Sequence, residues 1–189
     1  MKVYLASKSP RRRELLAGMG VSFEIVSAEA DETVEAGVLP RDAVELLARR
    51  KCLAGAEGKD GLVIGSDTLV ALGDVALGKP RDGEDAVSML MSLSGKKHTV
   101  YTGVAVARVE KGEVKALVSG VDATDFYFRA FGEEEARRYV ATGESMDKAG
   151  AYGIQGLGGA LVSHTDGEFD NVVGFPTKLV RRLMTEAEE

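Results

Sequence analysis

The chain opens on a short apolar run, Val3 to Ala6, that reads as a buried strand. A polar stretch follows in which Ser9 offers a helix cap, Pro10 fits a first helical turn, and Gly18 or Gly20 offers a stop. Phe23 to Ser27 is a second short strand, and residues 28 to 39 read as an acidic loop. From Pro40 to about Ala56 the positions Ala43, Leu46, Leu47, Leu53 and Ala54 recur near one helical face. Residues 62 to 72, LVIGSDTLVAL, form a strongly apolar strand pattern that Gly65, Ser66, Asp67 and Thr68 interrupt, closed by a Gly73–Asp74 turn. Asp82 opens a helix predicted through Leu93, with Asp85 at the capping-box position and Gly95 as its stop. His98 to Val109 and Val114 to Phe128 alternate like long strands, and the EKGE between them is a hairpin signal. A helix from Glu133 to Thr142 precedes the glycine-rich KAGAYGIQGLGG, and two strands around an Asp166–Gly167 turn lead to a last helix from Pro176. Strands and helices mixed in this order predict an α/β fold, three-layered or elongated, with a mixed sheet.

Composition narrows the class. The 189 residues show no repeat, low-complexity tract or linker and are read as one domain. A mean hydropathy of -0.06, with 44% hydrophobic and 29% charged residues, suits a soluble globular chain. No apolar run approaches the roughly 18 residues of a membrane span. The start MKVYLASKSP is too brief an apolar stretch for a signal peptide, so the expected location is the cytoplasm. The single cysteine, Cys52, excludes an internal disulfide and a cysteine-based zinc cage, and Ala48 and Leu53 beside it mark a packed helix position. A net charge of -6 argues against nonspecific nucleic-acid binding, which runs on phosphate neutralisation. The expected partner is a small anion rather than nucleic acid or membrane, and a homodimer is left open.

The basic residues group in three places. Arg11, Arg12 and Arg13 stand at a helix start, where the macrodipole disfavours each cation by about 0.3 to 1 kcal/mol. A bound polyphosphate would offset that cost, and a solvated basic face accounts for the triplet equally well. Consecutive residues do not share a helix face, so at most two of the three point at one ligand. Lys51, placed at the end of the Pro40 helix, and Lys79 with Arg81 in GKPRD are the other two groups. Lys79 precedes a proline, which holds its backbone extended. Asp67 is costly within an apolar strand unless it pairs with a cation or holds a metal. Glu32 offers a second carboxylate, while Glu29, Asp31 and Glu35 read as solvated. Two carboxylates, phosphate oxygens and water make a hard-oxygen site for a divalent cation such as Mg2+ or Mn2+. Gln155, in the glycine-rich loop, carries an amide able to read a nucleobase edge. The Walker pattern, GxSxG and HExxH are absent, and His98 and His164 lack metal-ligand spacing.

SKSPRRRELL, GSDTLV, GKPRD, LSGKKHTVYTGVAV, DKAGAYGIQG and VVGFP together resemble the Maf family of nucleotide pyrophosphatases, nearly end to end. The resemblance implies the elongated α/β architecture shared with inosine-triphosphate pyrophosphatases, two lobes around a central cleft that holds a nucleoside triphosphate. It implies that Ser7, Arg11, Arg12, Lys51, Thr68, Lys79 and Gln155 bind substrate, that Asp67 is catalytic, and that Glu32 and Asp67 hold Mg2+, Mn2+ or Co2+. Lys8 replaces a commonly small residue, and Gly78 stands where a glutamate often precedes the lysine, so an auxiliary carboxylate is missing there. Arg12, Thr68 and Gln155 resemble the branch acting on dTTP and UTP. A modified purine triphosphate as substrate, or a noncatalytic nucleotide-binding regulator, remain the alternative readings.

Overall fold

The computed structural model describes residues 1–189, and the chain divides into two compact units. The first comprises Met1–Thr68, Tyr101–Ala123 and Glu168–Glu189; the second comprises Leu69–Val100 and Thr124–Gly167.

In the first unit, β1 (Val3–Ala6) is buried along its whole length and lies parallel to both β2 (Glu24–Ile25) and β3 (Gly61–Leu72). Val3 to Ala6 pair in register with Leu62 to Gly65. The portions of β5 (Lys97–Glu110) and β6 (Glu113–Phe128) that belong to this unit extend the order to β2-β1-β3-β5-β6. Lys111 and Gly112 join β5 to β6, both at positive φ (54° and 78°), as the tight turn expected from EKGE requires. The two-residue period of the strands sorts their side chains into two cores. Leu62, Ile64, Val104 and Val106 pack with Leu16 of α1 (Pro10–Gly18) and with Val180 and Leu183 of α6 (Thr177–Glu188). Val63, Ala105 and Ala107 pack with Ala48 and Cys52 of α2 (Pro40–Ala56). This is the three-layer arrangement expected of an α/β chain.

Two glycines let α2 lie close against the sheet. A Cβ at Gly65 would stand 2.4 Å from the Cys52 nitrogen, and one at Gly103 would stand 2.2 Å from the Val44 carbonyl oxygen. Cys52 is inert in this layer, since burial pushes its thiol up to about 12.

The second unit carries β4 (Val75–Leu77), which turns back antiparallel on the end of β3. It also carries α3 (Gly83–Leu93), α4 (Glu133–Val140) and β7 (Val162–Asp166), antiparallel to β6. Leu90 and Leu93 of α3 and Ala136 and Tyr139 of α4 share its core with Phe128, Tyr152 and Leu161. His98 is enclosed by the rings of Phe126, Phe128 and Tyr152 and meets the Tyr152 hydroxyl at 2.7 Å. Burial holds it neutral, with a pKa lowered to about 4.

Several sequence expectations change. The Phe23–Ser27 strand shrinks to the two residues of β2. The polar quartet does not interrupt β3, whose ladder runs on from Gly61 to Leu72. Leu53 is 43% exposed, because the buried stripe of α2 runs through Ala43, Val44, Leu47, Ala48 and Cys52. Asp85 bonds the Arg81 backbone amide rather than that of its cap residue, while Asp82 caps α3 through the Asp85 amide at 2.8 Å. Helix α4 stops at Val140, two residues early. A strand follows Asp166 nowhere: the chain forms α5 (Phe169–Val172) instead, and Asp170 accepts from the Thr177 amide at 2.8 Å at the start of α6. No helix is long and apolar enough to cross a membrane.

Candidate active site

The quartet Gly65–Thr68 is sorted by the strand's alternation. Gly65 and Asp67 face α2, whereas Ser66 and Thr68 face the other way, toward Arg12 and Gly174. The close approach that Gly65 permits brings Lys51 beside Asp67. Lys51 lies inside α2 rather than in its last turn, so it serves no helix terminus. Its Nζ donates to Asp67 Oδ1 at 2.6 Å and lies 2.8 Å from Glu32 Oε1. The Lys51 and Asp67 side chains keep 16% and 13% of their exposure, while Glu32 keeps 67%. Desolvation pulls the Lys51 pKa down, but the hydrogen bonds and charges of Asp67 and Glu32 outweigh it and leave it raised. The buried carboxylate therefore has its cation, with one oxygen of Asp67 left outside that contact.

Of the three arginines only Arg12 turns inward; Arg11 and Arg13 are exposed. Ser9 caps α1 through the Arg12 amide at 3.5 Å. The Arg12 guanidinium donates from Nε to Gly174 O at 2.8 Å and from Nη1 to Ser66 O at 2.8 Å and Ser7 Oγ at 3.4 Å. Nη2 donates to Thr68 Oγ1 at 3.2 Å. Desolvation lowers its pKa, opposed by the charge of Asp67. Arg12 thus ties the end of β1, the middle of β3 and the loop before α6 together, and stands as a fixed positive charge near Asp67.

Lys79 and Gln155 belong to the second unit, and both are exposed. Lys79 sits in the turn between β4 and α3. Gln155 sits between two short 3-10 turns, Ala149–Ala151 and Leu157–Leu161. The glycines of that loop make room for a carboxylate of the chain itself. Glu144 accepts from the Leu157 and Gly158 amides at 3.1 and 3.2 Å and from the Tyr139 hydroxyl at 2.9 Å. Tyr139 in turn accepts from the Gly153 amide at 3.1 Å, and a Cβ at Gly156 would stand 2.4 Å from Glu144. Desolvation raises the Glu144 pKa, but the Gly158 amide, Tyr139, the Leu157 amide and Lys148 hold it below the ordinary value.

The structure thus brings Ser7, Arg12 and Thr68 into one contact network, and Glu32, Lys51 and Asp67 into another. Arg11 joins neither. Sequence reading passed over Glu144 and the residues that hold Arg12 and Thr68, namely Ser66, Thr102, Asn171 and Gly174. Burial was the missing signal: Ser66, Thr102 and Asn171 are fully buried polar residues, a property that strand or loop patterns do not display.

No group of three or more His, Cys, Asp or Glu side chains forms a metal cage. The donor chemistry nevertheless fits a divalent hard cation. Two carboxylates, Asp67 and Glu32, aim oxygens at one cationic point now filled by the Lys51 ammonium. Mg2+ commonly binds through one or two carboxylates, completing its shell with water and substrate phosphates.

Fold and charge arrangement together define a mixed-sheet α/β protein that sets a paired acid on one central strand, β3, and turns an arginine of helix α1 inward onto the same strand. The chain belongs to the Maf-like protein family, whose model matches residues 2–187. A dTTP/UTP pyrophosphatase of Pelotomaculum thermopropionicum is 48% identical over 176 residues, covering 93% of this chain and 91% of that one. A dTTP/UTP pyrophosphatase of Deinococcus radiodurans is 46% identical over 187 residues, covering 98% and 93%. Among solved structures, the Staphylococcus aureus Ham1 protein aligns with a TM-score of 0.52 at 10% identity, covering 100% of this chain and 98% of that one. A HAM1 protein from Coxiella burnetii aligns with a TM-score of 0.50 at 13% identity and the same coverage. At these identities the likeness concerns the fold alone.

Proposed function

We propose that this chain is a cytoplasmic nucleoside triphosphate pyrophosphatase, one catalytic domain over residues 1–189, that cleaves dTTP and UTP ahead of other nucleotides to the monophosphate and pyrophosphate. The observation that carries the proposal is the convergence of Asp67 and Glu32 on Lys51, in a chain closely related along its length to dTTP/UTP pyrophosphatases.

The reaction is an in-line attack of water on the α-phosphorus. Asp67 orients that water and accepts its proton, a role suited to a carboxylate held in place by Lys51. Lys51 has three donors and can exchange its contact with Asp67 for a phosphate oxygen when the triphosphate enters. Arg12 acts as a preorganised charge, its orientation fixed by Gly174, Ser66 and Thr68 before substrate arrives. Arg11 and Lys79 bind phosphate from exposed positions, Ser7 supplies a hydroxyl, and Thr68 and Gln155 contact the base. Glu32 and Asp67 would hold Mg2+, Mn2+ or Co2+, which when bound neutralises phosphate charge and makes water more acidic.

The test is hydrolysis of a panel of natural and modified triphosphates with product identification, with and without chelator. Pyrophosphate release from dTTP and UTP, absent in chelator and restored by the divalent ion, is the expected result. Turnover led by 7-methyl-GTP or another purine refutes the substrate assignment, and full turnover in excess chelator refutes the metal.

A further inference from the structure

Two hydroxyls flank the Arg12 guanidinium, and their hydrogen bonds have opposite polarity. Thr102 Oγ1 is fully buried, so water offers it no alternative partner. It lies 2.9 Å from the backbone carbonyl of Asn171 and 2.9 Å from Thr68 Oγ1. A carbonyl oxygen only accepts, so the single Thr102 proton goes to Asn171. Thr102 must then accept from Thr68, which uses the single Thr68 proton. Arg12 Nη2 occupies one lone pair of Thr68 Oγ1. The half-buried Thr68 hydroxyl is left with one lone pair and no proton. Ser7 is the reverse case. Its Oγ accepts from the Ser9 amide at 3.2 Å and from Arg12 at 3.4 Å, which fills both lone pairs and leaves its proton free. A phosphate oxygen suits Ser7 and is repelled by Thr68.

We propose that Thr102 is a positioning residue that fixes Thr68 as a hydrogen-bond acceptor, and that Thr68 takes the N3–H of a thymine or uracil base. This rests on the pyrophosphatase reading above and adds to it the atom that is recognised. Thymine and uracil carry a proton at N3, where cytosine carries a lone pair. A fixed acceptor therefore separates bases that a rotatable hydroxyl would treat alike. The chain running from Arg12 through Thr68 and Thr102 to Asn171 removes that rotation.

The experiment compares kcat/KM for dTTP and dCTP, read by pyrophosphate release, in the parent, Thr102→Val and Thr102→Ser. Valine keeps the volume and deletes the acceptor for the Thr68 proton, so that hydroxyl becomes free to donate to cytosine N3. The dTTP to dCTP ratio is expected to fall about tenfold or more, the scale of one unmet polar contact. Serine keeps the oxygen and should hold the parent ratio. An unchanged ratio in folded Thr102→Val, or an equal fall in Thr102→Ser, overturns the proposal.

A second measurement needs no variant and keeps the N3–H contact falsifiable if the valine protein does not fold. The parent should cleave N3-methyl-dTTP about tenfold or more worse than dTTP, and 2′,3′-dideoxythymidine triphosphate about as well. The opposite order would assign the Thr68 contact to a sugar hydroxyl and overturn the proposal. If no nucleotide releases pyrophosphate, the enzymatic reading has failed; calorimetric binding of the same three thymidine nucleotides then tests the acceptor assignment by the same order.

Discussion

Replacing Lys51 by methionine would leave Asp67 in β3 with its charge and without its ammonium. The stem is similar in length, so packing in α2 is kept and the change isolates the charge. At an effective dielectric near 20, two unit charges at the observed 2.6 Å interact by about 6 kcal/mol before desolvation is counted. Removing one partner of a fully buried pair costs about 3 to 5 kcal/mol. Here both side chains keep a little exposure, at 16% and 13%, and Arg12 still opposes the Asp67 charge, so about 2 to 3 kcal/mol is expected at pH 7. Urea unfolding of parent and Lys51→Met, with the slope checked for constancy, measures it. The pH profile supplies the sign. The folded pKa of Lys51 lies above its ordinary 10.5, so its contribution is complete below that value and is lost as pH rises through the folded pKa. The gap between the two proteins should therefore close only above about pH 10.5. Equal midpoints at pH 7, or a gap that is insensitive to alkali, would refute the assignment of Lys51 as the counter-charge of Asp67.

Three other substitutions probe the remaining parts. Asp67→Asn should reduce kcat by about 10²- to 10⁴-fold, the span of a lost general base, while circular dichroism shows the fold retained; normal turnover would make Asp67 purely structural. Glu144→Gln should raise KM for dTTP more than it lowers kcat, because an amide nitrogen would face the Leu157 or Gly158 N–H and loosen the loop that carries Gln155. Steady-state kinetics with parent-like KM would detach that loop from substrate binding. His98 has a depressed folded pKa near 4, so its contribution is present above about pH 6.5 and is lost as pH falls toward 4. His98→Gln should flatten that acid limb by about 3 kcal/mol in unfolding measurements, and an unchanged limb would place the acid sensitivity elsewhere.

The local elements were legible because short-range chemistry dictates them. Ser9 and Pro10 start α1, Pro40 starts α2, and Asp82 caps α3 at the residues where the pattern puts them. Asp67 was legible too, since an acid in an apolar strand is costly wherever the strand lies. Failures came where a partner distant in sequence decides. Leu53 fits an amphipathic stripe by spacing, yet the side of α2 that is buried was chosen by Gly65 and Gly103, which admit the helix along Val44, Ala48 and Cys52. By charge and position alone the arginine triplet offered three equal candidates; the family resemblance singled out Arg11 and Arg12, and packing against Gly174, Ser66 and Thr68 turns only Arg12 inward. Glu144 looked like one acid among many until the loop closed around it. A sequence determines which groups are costly to bury and which backbone turns are favoured, because those depend on each residue and its near neighbours. Which lysine neutralises Asp67, and which way the Thr68 hydroxyl points, depends on contacts across 16 and 34 residues of chain, and tertiary structure alone brings those atoms within bonding distance.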